Sequence, residues 1–452
     1  MKTNRDLEKG QILILLVLLV IGLLGFTALA IDGGMIFADR RYMQSAADAS
    51  SLAGAGVVAQ MMQNADVKQP DFNCAPFTDL SDAYGAAEEQ ALANDFTITP
   101  QAGLGESSDH GVLITCNPAE KYIDVFVMLS RVTNTSFVHL FTGGQMRNTV
   151  GSVTRVLPGI TAGSGAAIVA LSEVCGNKVG DLDIWGNADV HIYKGGIWSN
   201  SCNDRGGSGR LIIDEGSIDY HQGSTCTGMP IPPGCTEHTD LHPITTRPIP
   251  PPNCTSAPYQ NLGVVNNPTT ISPGNYKGWT FHSEVILEPG LYCIDGDISM
   301  TSAGFIRNET VDGTPTGAPM GGVTIYVMGG DNNPAVQING GVNTALVAVN
   351  EKPTVVVPGG PGAIEDLLIY ISPDLGDVDF VINGNSGSQF AGTIYAPAAI
   401  VRINGTAEIG NPTNMGCSII GYDVTTTGSG EIGITYNADM DYGWPSELQV
   451  QK

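Results

Sequence analysis

The sequence is poor in charged side chains, and poorest in basic ones. Only 14% of the 452 residues are charged, and 20 Lys and Arg stand against 45 Asp and Glu, a formal net charge of -25. Nucleic acid is excluded as a partner, because a polyanion repels a chain of this charge. The same charge opposes adsorption to anionic lipid and is typical of a surface that keeps an exported protein soluble.

The residue patterns of enzymes are also lacking. No Ser/His/Asp order stands out, and acidic pairs such as Asp181 with Asp183 lie at turns. The Gly-rich run 203–209 is not followed by the Lys-Ser/Thr of a phosphate loop and is interpreted as turns, and 330–333 lacks the ligand spacing of a calcium loop. We predict no catalytic, cofactor-binding or metal-binding residues, no cofactor and no enzyme activity.

Cysteine, in contrast, is present in an odd number. All nine cysteines lie beyond the apolar N-terminal segment, at Cys74, Cys116, Cys175, Cys202, Cys226, Cys235, Cys254, Cys293 and Cys417. This placement indicates disulfides in an oxidising compartment with at least one thiol left over. Neighbours along the chain are the plausible pairs, Cys175 with Cys202 for example, and Cys417 is predicted to be the odd one.

One group of residues has the chemistry of metal ligands: Cys226, Cys235, His238, His242 and Cys254. Two His at i and i+4 can share a metal on a helix, but Pro243 and its neighbouring prolines disfavour a helix there. The Cys spacing also differs from the paired C-x-x-C of structural zinc sites. Disulfides with incidental His are the preferred interpretation.

A long apolar run lies near the start of the chain. Residues 11–31 read QILILLVLLVIGLLGFTALAI, with no charge between Lys9 and Asp32. At 1.5 Å per residue this run spans about 30 Å, the thickness of the hydrocarbon core of a bilayer. We therefore predict a transmembrane helix over 11–31, preceded by a cytoplasmic tail over 1–10.

The charges that flank this run predict its orientation. Lys2, Arg5 and Lys9 precede it, and the positive-inside rule places the N-terminus in the cytoplasm, although Arg40 and Arg41 follow soon after. The chain is then a single-pass protein of the cell membrane, with residues beyond 31 outside the cytoplasm.

The apolar run also resembles two other kinds of segment, a cleaved signal peptide and a prepilin N-terminus. Residues 28–30, Ala-Leu-Ala, resemble a signal-peptidase site, but the run is longer than a usual signal-peptide core and a helical stretch follows it. Gly10 before an apolar helix resembles a prepilin cleavage site. Pilins carry Glu at the fifth position after the cut, where this chain has Leu15, so a filament subunit is the weaker interpretation.

Residues 32–158 have the pattern of a small α+β domain. Helices are predicted over 42–55, which is rich in small residues, and over 80–95, with Leu80, Tyr84, Ala87, Ala91 and Leu92 on one face. Strands are predicted at 96–99, 112–115, 122–127 and 150–156, with a helical turn or two at 136–141. The small side chains of 42–55 would allow this helix to pack closely either on a partner helix or on its own domain.

Residues 159–450 form a Gly-rich region with an internal repeat. Ile-Asn-Gly recurs at 338, 382 and 403, and Ile-Tyr recurs at 325, 369 and 394, with 434–436 as a looser echo. A period near 21 to 25 residues of strands and tight turns predicts an all-β domain, a right-handed β-solenoid rather than a β-sandwich, with Asn and Gly at its corners. The Pro-rich stretch 230–252 is predicted to be an extended excursion over one edge or a protruding contact surface.

The N-terminal residues carry a family resemblance. Gly10-Gln11, the apolar run, Ile31-Asp32-Gly33-Gly34, Arg40-Arg41 and Ala46-Ala47-Asp48-Ala49 resemble the N-terminal segment of TadG-like proteins of the Tad (tight adherence, Flp) pilus-assembly system. The domain after it is similar to that of TadE/TadG-type pseudopilins. The motifs at 287–292 and 390–397 resemble the C-terminal part of some TadG-related and other pilus-associated proteins.

The resemblance implies a membrane-anchored, pilin-like accessory protein of pilus assembly that acts by protein–protein contacts. Its expected partners are other Tad pilus or pseudopilin proteins and the membrane through residues 11–31. An external surface or a glycan is a further candidate target. The alternatives are a membrane-anchored surface adhesin or envelope structural protein and, as a weaker one, a β-solenoid carbohydrate-active enzyme.

Overall fold

The computed structural model describes most of the chain, with short gaps. The described residues are 9–65, 67–69, 72–102, 104, 110–134, 145–174, 182–187, 189–221, 226–227, 234–254, 258–300, 305–308, 321–330, 334–338, 344–350, 357, 359–384, 389–405, 407–409, 416–428 and 430–451. The chain divides into unit 1, residues 1–160 with 445–452, and unit 2, residues 161–444. Residues 445–450, which the sequence assigns to the Gly-rich region, thus lie in unit 1.

Over its described residues, unit 1 contains two α-helices, a short 3-10 helix (Ala75–Phe77) and an antiparallel sheet of four strands. Its elements are α1 (Lys9–Asn64), α2 (Ser81–Ala93), β1 (Gly111–Asn117), β2 (Tyr122–Asn134), β3 (Gln145–Leu157) and β32 (Glu447–Gln451). The sheet order is β1-β2-β3-β32. β32 lies in unit 1 because its backbone pairs with β3, from Val153 opposite Gln451 to Leu157 opposite Glu447.

The predicted strands are confirmed at 112–115, 122–127 and 150–156, and each is longer than predicted. Residues 96–99 do not form a strand, although Phe96 and Ile98 are buried and the Thr99 carbonyl accepts from the Val112 amide. Residues 136–141 lie outside the described residues.

The second helix is confirmed, but its predicted buried face is only partly right. Ala83, Ala87 and Ala91 recur at intervals of four and are buried, as a helix face against a core requires. Leu92 is 63% exposed, so its place on the buried face is wrong. Leu92 follows Ala91 by one position, about 100° around the helix, and this rotation turns it away from the core.

The small residues of α1 pack on unit 1 itself. A Cβ added at Gly54 would lie 3.0 Å from the Ala83 carbonyl oxygen and 3.1 Å from Val125 Cγ1. The Ser51 hydroxyl lies 2.8 Å from Thr154 Oγ1, and both side chains are buried. The small side chains therefore bring α1 close to α2 and to the sheet.

Unit 2 is mostly β. Its elements, including the short strands at its two ends, are β4 (Ile160–Thr161), β5 (Ala166–Ala170), β6 (Leu182–Gly186), β7 (Asp189–Tyr193), β8 (Gly196–Ser199), β9 (Asn203–Gly207), β10 (Leu211–Ile213), β11 (Ile218–His221), β12 (Cys226–Thr227), β13 (Cys235–His238), α3 (Pro243–Thr246), β14 (Val264–Val265), β15 (Thr269–Ile271), β16 (Gly274–Tyr276), β17 (Trp279–Phe281), β18 (Glu284–Leu287), β19 (Gly290–Asp295), β20 (Ile298–Met300), β21 (Phe305–Arg307), β22 (Val323–Gly329), β23 (Val336–Ile338), β24 (Ala345–Val347), β25 (Leu367–Ile371), β26 (Asp379–Gly384), β27 (Gln389–Gly405), β28 (Ala407–Ile409), β29 (Cys417–Thr427), β30 (Glu431–Thr435) and β31 (Gly443–Trp444).

These strands pair in parallel with a regular offset. From β14 to β24, each strand pairs with the third strand after it, and the same offset holds from β5 to β9. Parallel strands with apolar side chains on the inner face bury a continuous core. That core runs from Ile168 and Leu182 in the first strands to Ile432 and Ile434 near the end of unit 2.

The sequence repeats coincide with the register of the strands. Ile325 pairs with Ile369 and Ile369 with Ile394, while Ile338 pairs with Ile382 and Ile382 with Ile403. The looser echo at 434–436 is different, because Ile434 pairs with Ile192 in a separate sheet.

The order of the strands in space differs from their order in the chain. β29 pairs with β27 on one side and with β5 and β6 on the other. The block 166–238 therefore stacks on the end of the block 264–435, and the start and end of unit 2 meet in its interior. Ala162 accordingly donates from its amide to the Tyr442 carbonyl at 2.7 Å.

The described part of the Pro-rich stretch lies on the surface of the sheet. Ile244 and Ile249 are buried against Leu367, Tyr370 and Tyr395, and the Tyr370 hydroxyl donates to the Ile249 carbonyl at 3.2 Å. Residues 242–252 thus cover the aromatic column of the repeated Ile-Tyr motif.

Two expectations about Gly and Asn are corrected. Residues 203–207 are strand β9 rather than a turn, because they pair in parallel with β6. In the Ile-Asn-Gly repeat Gly405 has a φ of +83°, but Asn383 and Asn404 do not have positive φ. Their role is instead a side-chain ladder, in which the Asn404 amide donates to Asn383 Oδ1 at 2.9 Å.

Candidate functional site

The most exposed apolar surface of the described chain is the first half of α1. The large apolar side chains from Leu13 to Ile31 are between 44% and 75% exposed, and none packs on another part of unit 1. Among the described residues, α1 is the one helix whose length and composition would let it cross a membrane. Water does not favour such a surface, so the apolar half of α1 is a candidate for burial in lipid or against other helices.

A shallow, wide-open cleft between α1 and β2 lies just beyond this apolar half. It is lined by Met35, Ala38, Asp39, Tyr42, Arg131, Val132 and Thr133, and its volume is about 530 Å³. Arg131 lies with its guanidinium carbon 5.0 Å from the centre of the Phe96 ring, and its Nη1 is 3.5 Å from Asp39 Oδ1. Thr133 donates a hydrogen bond to the second oxygen of Asp39.

The candidate metal ligands of the sequence are dispersed. Cys226 is bonded to Cys235 and Cys254 to Cys293, and His238 Nε2 lies 2.7 Å from Asp219 Oδ1. Over the residues that the structure describes, no group of three His, Cys, Asp or Glu is arranged to hold a metal ion. The interpretation of this group as disulfides is confirmed.

His242 is not incidental, as the sequence suggested, but structural. It is fully buried at the start of α3, its Nε2 lies 3.2 Å from the Gly163 carbonyl, and its Nδ1 accepts from the Ile244 amide. Burial lowers its pKa to about 4, because the charged imidazolium would lose its hydration there. This side chain ties residues 242–246 to the start of unit 2.

The cysteine pairs follow the predicted neighbour rule. Cys74 is bonded to Cys116, and Cys202 is also disulfide-bonded, while its predicted partner Cys175 lies outside the described residues. Cys417 is the free cysteine, as predicted, and it is buried. Burial raises the pKa of its thiol well above the ordinary value, so the thiol stays neutral and unreactive.

Unit 2 presents one exposed tryptophan on its sheet surface. Trp185 is 51% exposed, and its indole Nε1 donates to Asp183 Oδ1 at 3.3 Å. A Cβ at the neighbouring Gly206 would lie 2.3 Å from the Trp185 ring, so the ring lies against the glycine backbone. Sequence reasoning missed this pair, because residues 203–209 were interpreted as turns.

Two family models match the chain. Residues 10–59 match the family described as putative Flp pilus-assembly TadE/G-like, and residues 266–441 match a domain of unknown function, DUF7305. No curated protein and no solved structure matches the chain.

The first match covers α1 nearly to its end, including the apolar half and the small residues that pack on unit 1. Residues 10–59 are thus similar to the corresponding segment of Tad/Flp pilus-assembly proteins. Within that class, the predicted resemblance to TadG-like proteins is confirmed.

Proposed function

We propose that the chain is a membrane-anchored, non-enzymatic accessory protein of Tad/Flp pilus assembly that resembles a pseudopilin and acts by protein–protein contacts. The observation that carries this proposal is the TadE/G-like segment, whose apolar half is exposed on α1. Residues 11–31 span the cell membrane, with the N-terminus in the cytoplasm and the residues beyond 31 outside the cytoplasm. Three disulfides among the described residues suit that compartment.

The fold proposal follows from the strand pairing. Unit 1 serves as the pilin-like domain near the membrane, and unit 2 is a β-solenoid with three strands in each coil. The constant offset of three strands and the in-register Ile columns support this arrangement. We assign it a right-handed sense, as parallel connections generally have. In this arrangement the surface of unit 2 contacts pilus components.

Helix contacts within the bilayer are the proposed mode of partner binding. Gly22 and Gly25 have open space where a Cβ would lie, and small residues let two membrane helices approach closely. A double variant, Gly22→Leu with Gly25→Leu, adds bulk at positions where an added Cβ meets nothing within 4 Å.

The test is co-purification from membranes in mild detergent, with the other components of the pilus system detected by mass spectrometry. We expect pilus components to co-purify with the unchanged chain, and several-fold less of them to co-purify with the double glycine variant. The matched control, Leu16→Val, keeps an apolar surface and should recover them fully. If the chain is abundant in the membrane but recovers no pilus component, the proposal is wrong.

An adhesin is the second candidate, and Trp185 favours it. An exposed indole ring that lies against the Gly206 backbone, beside the Asp183 carboxylate, can stack on the apolar face of a sugar while the carboxylate accepts from its hydroxyls. The acidic charge favours neutral or cationic sugars over acidic ones. Binding of the full chain to a glycan panel, lost in Trp185→Ala but kept in Trp444→Ala, would support it. Release of reducing ends would indicate an enzyme instead.

A further inference from the structure

The cleft between α1 and β2 combines two kinds of surface. Met35, Tyr42 and Val132 give it apolar walls, and they are between 36% and 47% exposed. Arg131 adds a guanidinium that is 37% exposed, lies over the rings of Tyr42 and Phe96, and makes one long ion pair, to Asp39. A ligand that matches this cleft has an apolar part and an anionic part, and the walls continue directly from the exposed apolar surface of α1.

The cleft lies at the end of unit 1 that faces the apolar run. β2 runs antiparallel to α1, because Val125 lies beside Gly54 while Thr133 contacts Asp39. Asp39 follows Ile31 by eight residues, about 12 Å along the helix. The headgroup layer on each side of a bilayer is about 5–7 Å thick, so an extended arginine side chain at this level reaches the phosphates.

Basic residues concentrate at this level of unit 1. Arg40 and Arg41 are exposed on α1, Arg131 lies at the end of β2, and Arg147 lies opposite Val132 on β3. These are four of the 20 basic residues of the chain. Of the nearby acidic residues on α1, Asp39 is paired with Arg131 and Thr133, and Asp32 is buried. Locally, therefore, the surface is cationic although the whole chain is acidic.

Exposed apolar side chains accompany the arginines. Phe37 is 71% exposed on α1, and Met146 is 43% exposed on β3 opposite Thr133. Aromatic and apolar side chains with arginine at one level are typical of the boundary between lipid and water. A free phosphate would not need these apolar walls, whereas a phospholipid would use both.

We propose that this cleft binds the phosphate and upper acyl chain of a bilayer phospholipid, so that unit 1 lies against the membrane surface. Arg131 holds the phosphate, Arg40, Arg41 and Arg147 add attraction, and the acyl chain follows the apolar surface of α1 toward Ile31. This inference rests on the membrane anchor proposed above.

The test uses the full chain in phosphatidylglycerol nanodiscs whose lipids carry an alkyne tag. A photo-crosslinking residue is placed in turn at Leu18 in the apolar run, at Val132 in the cleft, and at Lys121 at the far end of β2. Lys121 lies twelve residues before Thr133, about 40 Å along the strand, and serves as the negative control.

The three positions separate the two proposals. We expect crosslinks to lipid at Leu18 and Val132 and none at Lys121. Crosslinking at Leu18 alone would leave the anchor standing and overturn the lipid cleft. Crosslinking at none of the three positions would overturn the anchor and, with it, the lipid cleft. Equal crosslinking at Val132 and Lys121 would indicate nonspecific contact and would also overturn the cleft.

Charge variants test the phosphate contact. Arg131→Gln should lower lipid crosslinking at Val132 by about fivefold and leave crosslinking at Leu18 unchanged. Arg131→Lys keeps the positive charge and should retain most of the crosslinking at Val132. The matched control is Arg155→Gln, because Arg155 also pairs with an aspartate on the same sheet, Asp124, at 2.9 Å. Equal losses in Arg131→Gln and Arg155→Gln would indicate a general effect on unit 1 and overturn the role of Arg131.

Discussion

At the scale of single residues, the closest packing in unit 1 depends on residues with little or no side chain, glycine and alanine. Gly54 lets α1 approach α2 and the sheet, and the Ala residues of both helices leave little space between them. The sequence shows that residues 42–55 have small side chains, but it does not show which surface they pack against. A helix face of small residues has the same pattern whether it meets its own unit or another protein.

Gly54→Leu should therefore destabilise unit 1. A Cβ at this position already lies 3.0–3.2 Å from Ala83, Val125 and Ala87, and a larger side chain must displace them. We expect a loss of about 1–3 kcal/mol in the free energy of unfolding, measured by denaturant titration. Gly56→Ala is the control, because a Cβ there meets nothing within 4 Å. It should be neutral or slightly stabilising, and equal losses in both variants would contradict the packing argument.

His242 makes the stability of unit 2 dependent on pH. The folded state lowers its pKa from 6.5 to about 4, so as the pH falls the unfolded state binds the proton first. The stabilisation is complete above pH 6.5 and is lost as the pH falls from 6.5 to about 4, by up to about 3 kcal/mol. His242→Gln should flatten the pH dependence of the melting temperature in this range, as measured by thermal unfolding. A steep profile that survives in His242→Gln would disprove this origin.

At the scale of elements, the repeats were the most informative part of the sequence. Ile338, Ile382 and Ile403 predicted the register of three strands, because side chains of one inner column must match in type. The prediction that Asn383 and Asn404 adopt the left-handed conformation at corners was wrong, and they form a side-chain ladder instead. Asn is common in both roles, so the sequence alone does not distinguish them. The pairing of Trp185 with Gly206 could not be predicted, because lateral neighbours lie 21 residues apart without a shared motif.

β32 completes the sheet of unit 1 with backbone contacts rather than a buried core, since its side chains are mostly exposed. Removal of residues 445–452 should leave the edge of β3 unpaired and weaken it. Hydrogen exchange at Val153–Leu157 should then accelerate, while exchange at Val125 on the inner strand β2 stays slow. Unchanged protection at 153–157 would contradict the assigned sheet order.

At the scale of the whole molecule, unit 2 closes on itself where its first and last segments meet. Asp441 is buried at this junction, accepting from the Gly163 amide at 2.7 Å, from the Thr393 hydroxyl at 3.0 Å and from the Tyr436 hydroxyl at 3.2 Å. Burial raises the pKa of Tyr436 and keeps its hydroxyl protonated as a donor. No sequence pattern predicts this junction, because its residues lie far apart in the chain, Gly163 and Asp441 by 278 residues.

Asp441→Ala should loosen both blocks of unit 2 at once. It leaves three buried donors without their acceptor, and each such group costs about 1–3 kcal/mol. We expect a lower melting temperature, and faster proteolysis near 161–170 and near 417–440. Ser164→Ala, which removes a half-buried hydroxyl bonded only to its own turn, is the control. Proteolysis at only one of the two segments would argue against their mutual support.

The pairing of β3 with β32 has a mechanical consequence. Unit 2 is an insertion held by two covalent connections, one after Ile160 and one before Pro445, and both lead into the same sheet. A pull on unit 2 is therefore divided between two adjacent strands instead of falling on one tether. Detachment of unit 2 from this sheet therefore requires two hydrogen-bonded strands, β3 and β32, to be pulled out.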